Sequence, residues 1–254
     1  MVGFKFGQTE TEVNIMKFDD SDLVAHLVDK QLLLWNARRN AIGKKMNNNH
    51  NFRFLTIASD KGCLGEEIAQ ELSLRTGWHI FDKEMVSYIA KNEHVSENLV
   101  RQLDHTSQNL IQDMIERLLK TAENPAFGSD EYYEALLKTM GCLATHGCAI
   151  LVGRGANFVL REHSHGLNIR VTASPEVRIK RLCKSLNTTI DQARHQMQVE
   201  DEEQRKFIRH YYKHEFDDVN FYDIVFNTDH ASIEQVASSV LAYMDYLESE
   251  AAAI

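Results

Sequence analysis

The residues best suited to chemistry surround a glycine-bearing loop, which residues 59–67 form with the sequence SDKGCLGEE. This stretch lies between an apolar run that ends at Ala58 and a helical pattern through Ile68 and Leu72. A loop between a buried strand and a helix start points backbone N–H groups and the positive helix end at one spot, which favours a phosphate. The candidate cofactor-binding residues are therefore Lys61, Gly62, Cys63, Leu64, Gly65, Glu66 and Glu67.

The loop differs from the common phosphate-binding motif G-x-x-x-x-G-K-[ST], in which the lysine reaches the phosphates and the hydroxyl holds Mg²⁺. Aligned from the helix backwards, Gly65 stands at the lysine position and Glu66 at the Ser/Thr position. A carboxylate beside a polyphosphate is repulsive unless a metal ion lies between them. The geometry thus predicts a nucleotide site, but the motif itself is not matched.

Arginines that could hold phosphate follow later in the chain, since their planar guanidinium suits a phosphate with two hydrogen bonds. Arg154 follows the apolar run CAILV, at the edge of the sheet where open α/β sheets bind ligands. Arg178 and Arg181 are three residues apart and share one helix face. For Arg154 the competing interpretation is a surface arginine that caps a helix.

A second helix carries Asp201, Arg205 and Arg209 at positions i, i+4 and i+8. These arginines could face an anion. The alternative is that Asp201 and Arg205 form only an exposed ion pair, which is worth a few tenths of a kcal/mol.

Strands and helices alternate along the chain, which predicts a mainly parallel sheet covered on both faces by helices. We expect strands near residues 53–58, 78–81, 148–152, 167–172 and 223–227. Helical periodicity follows each of them, with one long or broken helix over 96–122 and caps at Ser129, Ser174 and Thr188 or Thr189. The predicted fold class is α/β, with three α/β/α layers.

An N-terminal helical extension precedes this domain. From Asp19 to Met46, leucines and valines with Trp35 form a broad apolar stripe at helical spacing. The stripe predicts a docked helix, which could pack on its own domain or against a second subunit. The second alternative is a homo-oligomer formed through the N-terminal helix.

Composition excludes several classes of function. The chain has 254 residues, 43% hydrophobic content and a net charge of −9, so it lacks the basic balance of a general nucleic-acid binder. It contains no apolar run of 18 residues, so no membrane span is expected. Its 4 cysteines show no C-x-x-C spacing, and its 12 histidines show no metal-ligand spacing, so no metal ligands are assigned. These features predict a soluble cytoplasmic protein.

Five segments, in order, resemble the cytidylate kinase-like family, a branch of the nucleoside monophosphate kinases. Residues 59–69 correspond to that family's SREYGSGGREIA, and HIFDKEMV at 79–86 to its PFYDKELI segment. VGRGA at 152–156 is similar to IIVGRGADYIL, Asp201 and Arg205 match a D-k-x-R-x-x-Y pattern, and YDIVFNTD at 222–229 resembles YDLVINTD. SPEVRIKRL, at residues 174–182, precedes the segment that matches the D-k-x-R pattern.

This resemblance implies a P-loop nucleoside monophosphate kinase-like fold and a reaction in which ATP, with Mg²⁺, donates its γ-phosphoryl group to a nucleoside monophosphate such as CMP. It implies acceptor binding by Asp82 and Arg154, and charge neutralisation in the reaction by Arg178, Arg181, Arg205 and Arg209. It also implies an extension at 1–50 and a domain at 51–254, with a helical insert near 96–127 and a lid near 174–214. The alternative is a catalytically weak or inactive relative that binds a nucleotide or a protein partner.

Overall fold

The computed structural model describes residues 20–45, 52–121 and 131–251, and its centre is one parallel β-sheet. The strands are β1 (Phe54–Ser59), β2 (His79–Phe81), β3 (Ala149–Val152), β4 (Gly166–Thr172) and β5 (Ile224–Asn227). They pair in the order β2-β3-β1-β4-β5, and every pair is parallel. The predicted parallel sheet and its five strands are confirmed.

Helices cover both faces of the sheet. They are α1 (Asp20–Lys45), α2 (Gly65–Thr76), α3 (Lys83–Lys91), α4 (Glu93–Arg101), α5 (His105–Thr121), α6 (Glu131–His146), α7 (Ala156–Val159), α8 (Pro175–Leu186), α9 (Ile190–Tyr212) and α10 (Ile233–Ala251). A short 3-10 turn, Val219–Phe221, precedes β5. The three-layer α/β/α architecture is therefore confirmed.

Two apolar clusters fill the spaces between these layers because the strands are buried on both faces. Leu55 and Ile57 of β1 pack with Ile68 of α2 and Val240 of α10 on one face. Phe54 of the same strand belongs to the cluster on the opposite face, which the helices α3 to α6 help to build. Successive side chains of β1 thus point to opposite faces of the sheet, and this one strand contributes to both apolar clusters.

The predicted helical segment over 96–122 is broken. Helix α4 ends at Arg101, and α5 begins after Asp104, whose carboxylate accepts a hydrogen bond from the Ser107 amide at 2.8 Å. Asp104 therefore caps the second helix and explains the break. The cap predicted at Ser129 lies outside the described residues. The division of the chain into extension, domain, insert and lid stays a prediction.

Helix α1 packs on the domain through one edge of its apolar stripe. Val28 and Trp35, seven residues apart, are buried in the cluster with Phe54, and the Trp35 indole donates to the Gly147 carbonyl at 3.1 Å. Leu27 and Leu34 remain 50% and 43% exposed. Each leucine precedes a buried residue by one position, which turns it about 100° around the helix. The stripe is thus only half covered in the described chain.

The starts of α8 and α9 differ in their capping. The Thr189 hydroxyl accepts the Gln192 amide, and the Gln192 side chain accepts the Thr189 amide, so α9 begins with a capping box. Ser174 occupies the cap position of α8, but its side chain makes no capping hydrogen bond, which corrects the prediction. Instead its backbone amide donates to the Asp229 carboxylate at 2.9 Å, which fixes this helix start against the loop after β5.

Candidate functional site

The glycine-bearing loop connects β1 to α2 at the carboxyl edge of the sheet, next to the central strands. Gly62 has φ +82° and Leu64 has φ +69°, so two residues of the loop adopt the left-handed conformation. A Cβ on Gly65 would lie 2.1 Å from the Ser59 hydroxyl oxygen, so only glycine lets the helix start this close to the strand. The tight turn therefore sets the positive end of α2 at the edge of β1.

The side chains of the loop and of the first turn of α2 differ in exposure. Cys63 is fully buried, and burial raises the pKa of its thiol to about 11 despite the opposing charge of Arg178. The helix start therefore does not activate this thiol. Glu66 and Glu67 are exposed on the first turn of α2. Their carboxylate oxygens are ligands that Mg²⁺ accepts.

Arg178 and Arg181 of α8 both reach the loop. Arg178 donates from Nε to the Lys61 carbonyl at 2.7 Å. Arg181 donates to the Gly62 carbonyl at 3.2 Å and to the Thr228 carbonyl at 2.6 Å. The shared helix face predicted for the two arginines thus lies against the loop, and it carries positive charge to the loop's edge.

An ion-pair cluster, buried at Arg170 and Asp60 and exposed at Asp217, lies beside these contacts. Arg170 of β4 pairs with Asp60 and with Asp217, the latter at 2.9 Å, and Arg205 of α9 bonds both carboxylates at 3.1 Å. The Phe216 ring lies 4.2 Å from the Arg170 guanidinium carbon. Burial alone would raise the pKa of Asp217, but its hydrogen bond from Arg170 and the charge of Arg205 lower it below the ordinary value of 3.8. The cluster thus holds Asp217 in its ionised form.

Asp201 of α9 connects this cluster to the loop. Arg178 donates from Nη2 to both Asp201 oxygens, at 2.7 and 2.5 Å, and the Lys61 backbone amide donates to one of them at 3.2 Å. The contact between Asp201 and Arg205 within the helix is longer, at 3.9 Å. Their side chains are 13% and 22% exposed, so the interpretation as an exposed helix pair does not describe them.

Arg154 lies on the other side of the sheet edge, after β3. It donates from Nε to the Ser87 hydroxyl at 2.7 Å, and its guanidinium carbon is 4.8 Å from the centre of the Phe207 ring. The Tyr132 hydroxyl also donates to Ser87, at 3.2 Å. This group of aromatic and basic side chains offers a charged point beside flat apolar surfaces.

Two predicted site residues have other roles in the described structure. Asp82 is the N-cap of α3, where its carboxylate accepts the Met85 amide at 2.8 Å. Arg209 is paired with Glu215 at 3.0 Å on an exposed part of α9. The structure thus brings Arg178, Arg181 and Arg205 to the loop or its ion pairs, and it leaves Arg209 outside these contacts.

Sequence reasoning missed several residues of the site, namely Asp60, Ser87, Arg170, Glu200 and Asp217. Arg170 had a usable signal, because an arginine inside the buried run LNIRVTA must find a carboxylate. No signal in the sequence identified that carboxylate, since Asp60 and Arg170 are 110 positions apart.

Comparison with known proteins identifies the family. Residues 54–230 match the model of the cytidylate kinase-like family. A cytidylate kinase from Staphylothermus marinus is 28% identical over 113 residues, which are 44% of this chain. The match covers only 59% of the length of that relative.

Solved structures support the fold. A protein of Eubacterium ventriosum, described as uncharacterized, superimposes with a TM-score of 0.53 at 15% identity, covering 76% of this chain and 98% of that one. A shikimate kinase from Acinetobacter baumannii gives a TM-score of 0.40 at 10% identity over 77% of this chain and 94% of its own, and supports no inference. In the described ranges no helix is both long and apolar enough to cross a membrane.

Proposed function

We propose, since the chain belongs to the cytidylate kinase-like family, that it transfers the γ-phosphoryl group of ATP to a nucleoside monophosphate such as CMP. The observation that carries this proposal is the convergence of α8 and α9 on the loop between β1 and α2. Arg178 and Arg181 touch that loop directly, and Arg205 reaches Asp60 at its start. A cytoplasmic location, inferred from composition, belongs to the same proposal.

One observation supports donor binding at the loop: the Asp201 carboxylate already accepts a hydrogen bond from the Lys61 amide. That N–H therefore faces a position where an anion is accommodated. Loop amides between Lys61 and Gly65, except that of Cys63, which donates to the Asp60 carbonyl at 3.2 Å, would hold phosphate oxygens. Arg178 and Arg181 would screen the phosphate charge. Glu67 would hold Mg²⁺, which supplies charge neutralisation between the phosphates when bound.

The acceptor belongs beside Arg154. Its guanidinium, held by Ser87 and the Phe207 ring, would bind the acceptor phosphate, and the nearby Tyr132 ring offers a surface for a base. Arg205, on α9, would then counter charge on the group that moves between the two sites. These residues act by holding and screening, which is how phosphoryl transfer is accelerated.

A second candidate function has an observation in its favour. Arg170, Arg178 and Arg205 each bond a carboxylate, and the lysine of the motif G-x-x-x-x-G-K-[ST] is missing. The local positive charge is therefore largely balanced. Such a site suits a protein that keeps the fold to bind a nucleotide or a protein partner, with little turnover.

A coupled assay of ADP formation with ATP·Mg²⁺ and each nucleoside monophosphate tests the proposal. We expect turnover that depends on one monophosphate, and a loss of roughly a hundredfold in turnover in Arg205→Gln. Replacing Arg154 by Ala should weaken binding of the monophosphate by about 1.5–3 kcal/mol, the scale of a hydrogen bond to a charged group. Arg194→Gln is the matched control, because Arg194 is an exposed arginine of α9.

A further variant tests the departure in the loop. Glu66→Arg places the residue that the resembled family has there, and we expect tighter binding of ATP because a repulsive charge is removed and an attractive one added. If the unmodified chain binds neither ATP nor CMP at millimolar concentration and Glu66→Arg changes nothing, the nucleotide proposal is wrong. The binding of a protein partner then becomes the better proposal.

A further inference from the structure

The loop already holds an anion, and that anion belongs to the protein. The Lys61 amide donates to Asp201 Oδ1 at 3.2 Å, and Arg178 donates to both oxygens of the same carboxylate. A backbone N–H combined with a guanidinium fork is also the donor set that binds phosphate oxygens at a loop of this kind. Asp201 thus takes up donors that an incoming phosphate needs.

The same contact fastens α9 to the loop. Glu200, the neighbour of Asp201, pairs with Lys61 Nζ at 3.1 Å, so two consecutive carboxylates of α9 hold the two donor groups of one lysine. The Asp201 side chain is 13% exposed, which limits screening of its charge by water. An ordinary ion pair within α9 would not require a hydrogen bond to a loop 140 positions away in sequence.

We propose that the Asp201 carboxylate is an internal anion that occupies the phosphate position of the loop and latches α9 onto it. The phosphate chain of a nucleotide must displace this carboxylate to reach the Lys61 amide and Arg178. The inference rests on the proposed function, since it concerns the same loop. It assigns to Asp201 an autoinhibitory contact that lowers the affinity for polyphosphates while α9 is held against the loop.

Charge sets the direction of the effect. Around the loop, three guanidinium groups (Arg170, Arg178, Arg205) face three carboxylates (Asp60, Asp201, Asp217). Lys61 is likewise paired, with Glu200, whereas Arg181 bonds Gly62 and Thr228. A polyphosphate therefore enters a site whose positive charge is largely paired, and it meets the Asp201 carboxylate at close range. Removing that one charge leaves Arg178 free to bind the anion, and it also removes the repulsion.

Calorimetric titration with magnesium tripolyphosphate, and separately with ATP·Mg²⁺, tests the latch. Asp201→Asn keeps the size of the side chain and an oxygen for the Lys61 amide, but removes the charge. We expect it to bind tripolyphosphate about tenfold more tightly than the unmodified chain, or better. Glu202→Gln removes one carboxylate from the same helix, where it lies about half exposed and pairs with Lys206 at 3.9 Å. This control should change the affinity less than about twofold.

Asp201→Ser removes the same charge with a smaller side chain and keeps the test available if the asparagine variant does not fold. The latch is overturned if these variants bind tripolyphosphate no more tightly than the unmodified chain, or if none of the chains binds it. Tighter binding without any transfer to a monophosphate supports the latch and counts against the proposed function. Transfer by the unmodified chain with unchanged affinity in the variants leaves the function standing and removes the latch.

Discussion

Replacing Trp35 by Ala tests whether helix α1 is a structural part of the domain. The indole is fully buried, its ring lies edge-on to Phe81 at 5.1 Å and to His146 at 5.5 Å, and its N–H bonds the Gly147 carbonyl. The contacts join α1 to β2, to α6 and to the turn before β3. The substitution would therefore open a cavity where three elements meet.

The cost follows from these contacts. Large-to-small substitution of a buried tryptophan lowers the free energy of unfolding by roughly 3–5 kcal/mol. The Gly147 carbonyl also loses its donor, and an unsatisfied buried acceptor costs about 1–3 kcal/mol more unless water reaches it. We expect a total loss of roughly 4–8 kcal/mol, a large part of the roughly 5–15 kcal/mol that stabilises a typical domain.

Urea unfolding followed by far-ultraviolet circular dichroism measures the loss, since removal of a tryptophan changes the fluorescence signal itself. Leu33→Ala is the control, because Leu33 lies on the same helix and is 70% exposed, so its loss should stay below about 0.5 kcal/mol. A loss under about 1 kcal/mol in Trp35→Ala would show that α1 contributes little to the domain and would refute the reasoning.

Three further perturbations have outcomes set by the structure. Burial, with a contribution from Arg38, lowers the pKa of His79 from 6.5 to about 4, so the folded chain holds it neutral while the unfolded chain protonates near pH 6.5. The free energy of unfolding should fall by about 2 kcal/mol between pH 7 and pH 5, and it should fall less in His79→Gln. An equal fall in both chains, measured by urea unfolding at each pH, would contradict this. Asp60→Asn removes the buried carboxylate that pairs with Arg170 and leaves only Asp217, whose side chain is 60% exposed, as its charged partner. A loss of roughly 2–3 kcal/mol in the free energy of unfolding is expected, and no loss would show that the pair is dispensable. A Cβ on Gly155, at φ +73°, would lie 2.2 Å from the Tyr212 ring. Gly155→Ala should therefore lower the free energy of unfolding by roughly 2–4 kcal/mol. In the Tyr212→Ala background the same change should cost only about 1 kcal/mol, and an equal cost in both backgrounds would exclude the steric cause.

The sequence predicted the sheet well because its strands are short apolar runs buried on both faces. Each run is bounded by glycine, aspartate or helical periodicity, and the predicted limits of all five strands agree with the observed ones within one residue. The loop between β1 and α2 was predictable for the same reason, since only its two flanking elements had to be recognised. Local pattern was enough for both.

The contacts of the site were not predictable from local pattern. The arginines of α8 and α9 could be named as charge-bearing residues, but their partners are distant in sequence, as Asp60 and Arg205 are by 145 positions. For Asp82 the local pattern did contain the observed contact, because an acidic residue before the helical run KEMVSYIAK fits an N-cap. Its role in acceptor binding stays a prediction. Pairing depends on packing, which the periodicity of one element does not contain.

Gly155 lets the end of α9 approach the turn after β3. A Cβ at this position would lie 2.2 Å from the Tyr212 ring, so only glycine leaves room for that ring. The Tyr212 hydroxyl donates to the Arg154 carbonyl at 2.6 Å, so the end of α9 rests on the turn that carries the arginine proposed to bind the acceptor. Asp201, in the middle of the same helix, contacts the loop between β1 and α2. Helix α9 therefore connects the proposed donor and acceptor sides, and we expect that a displacement of Asp201 by phosphate would act on Arg154 through this helix.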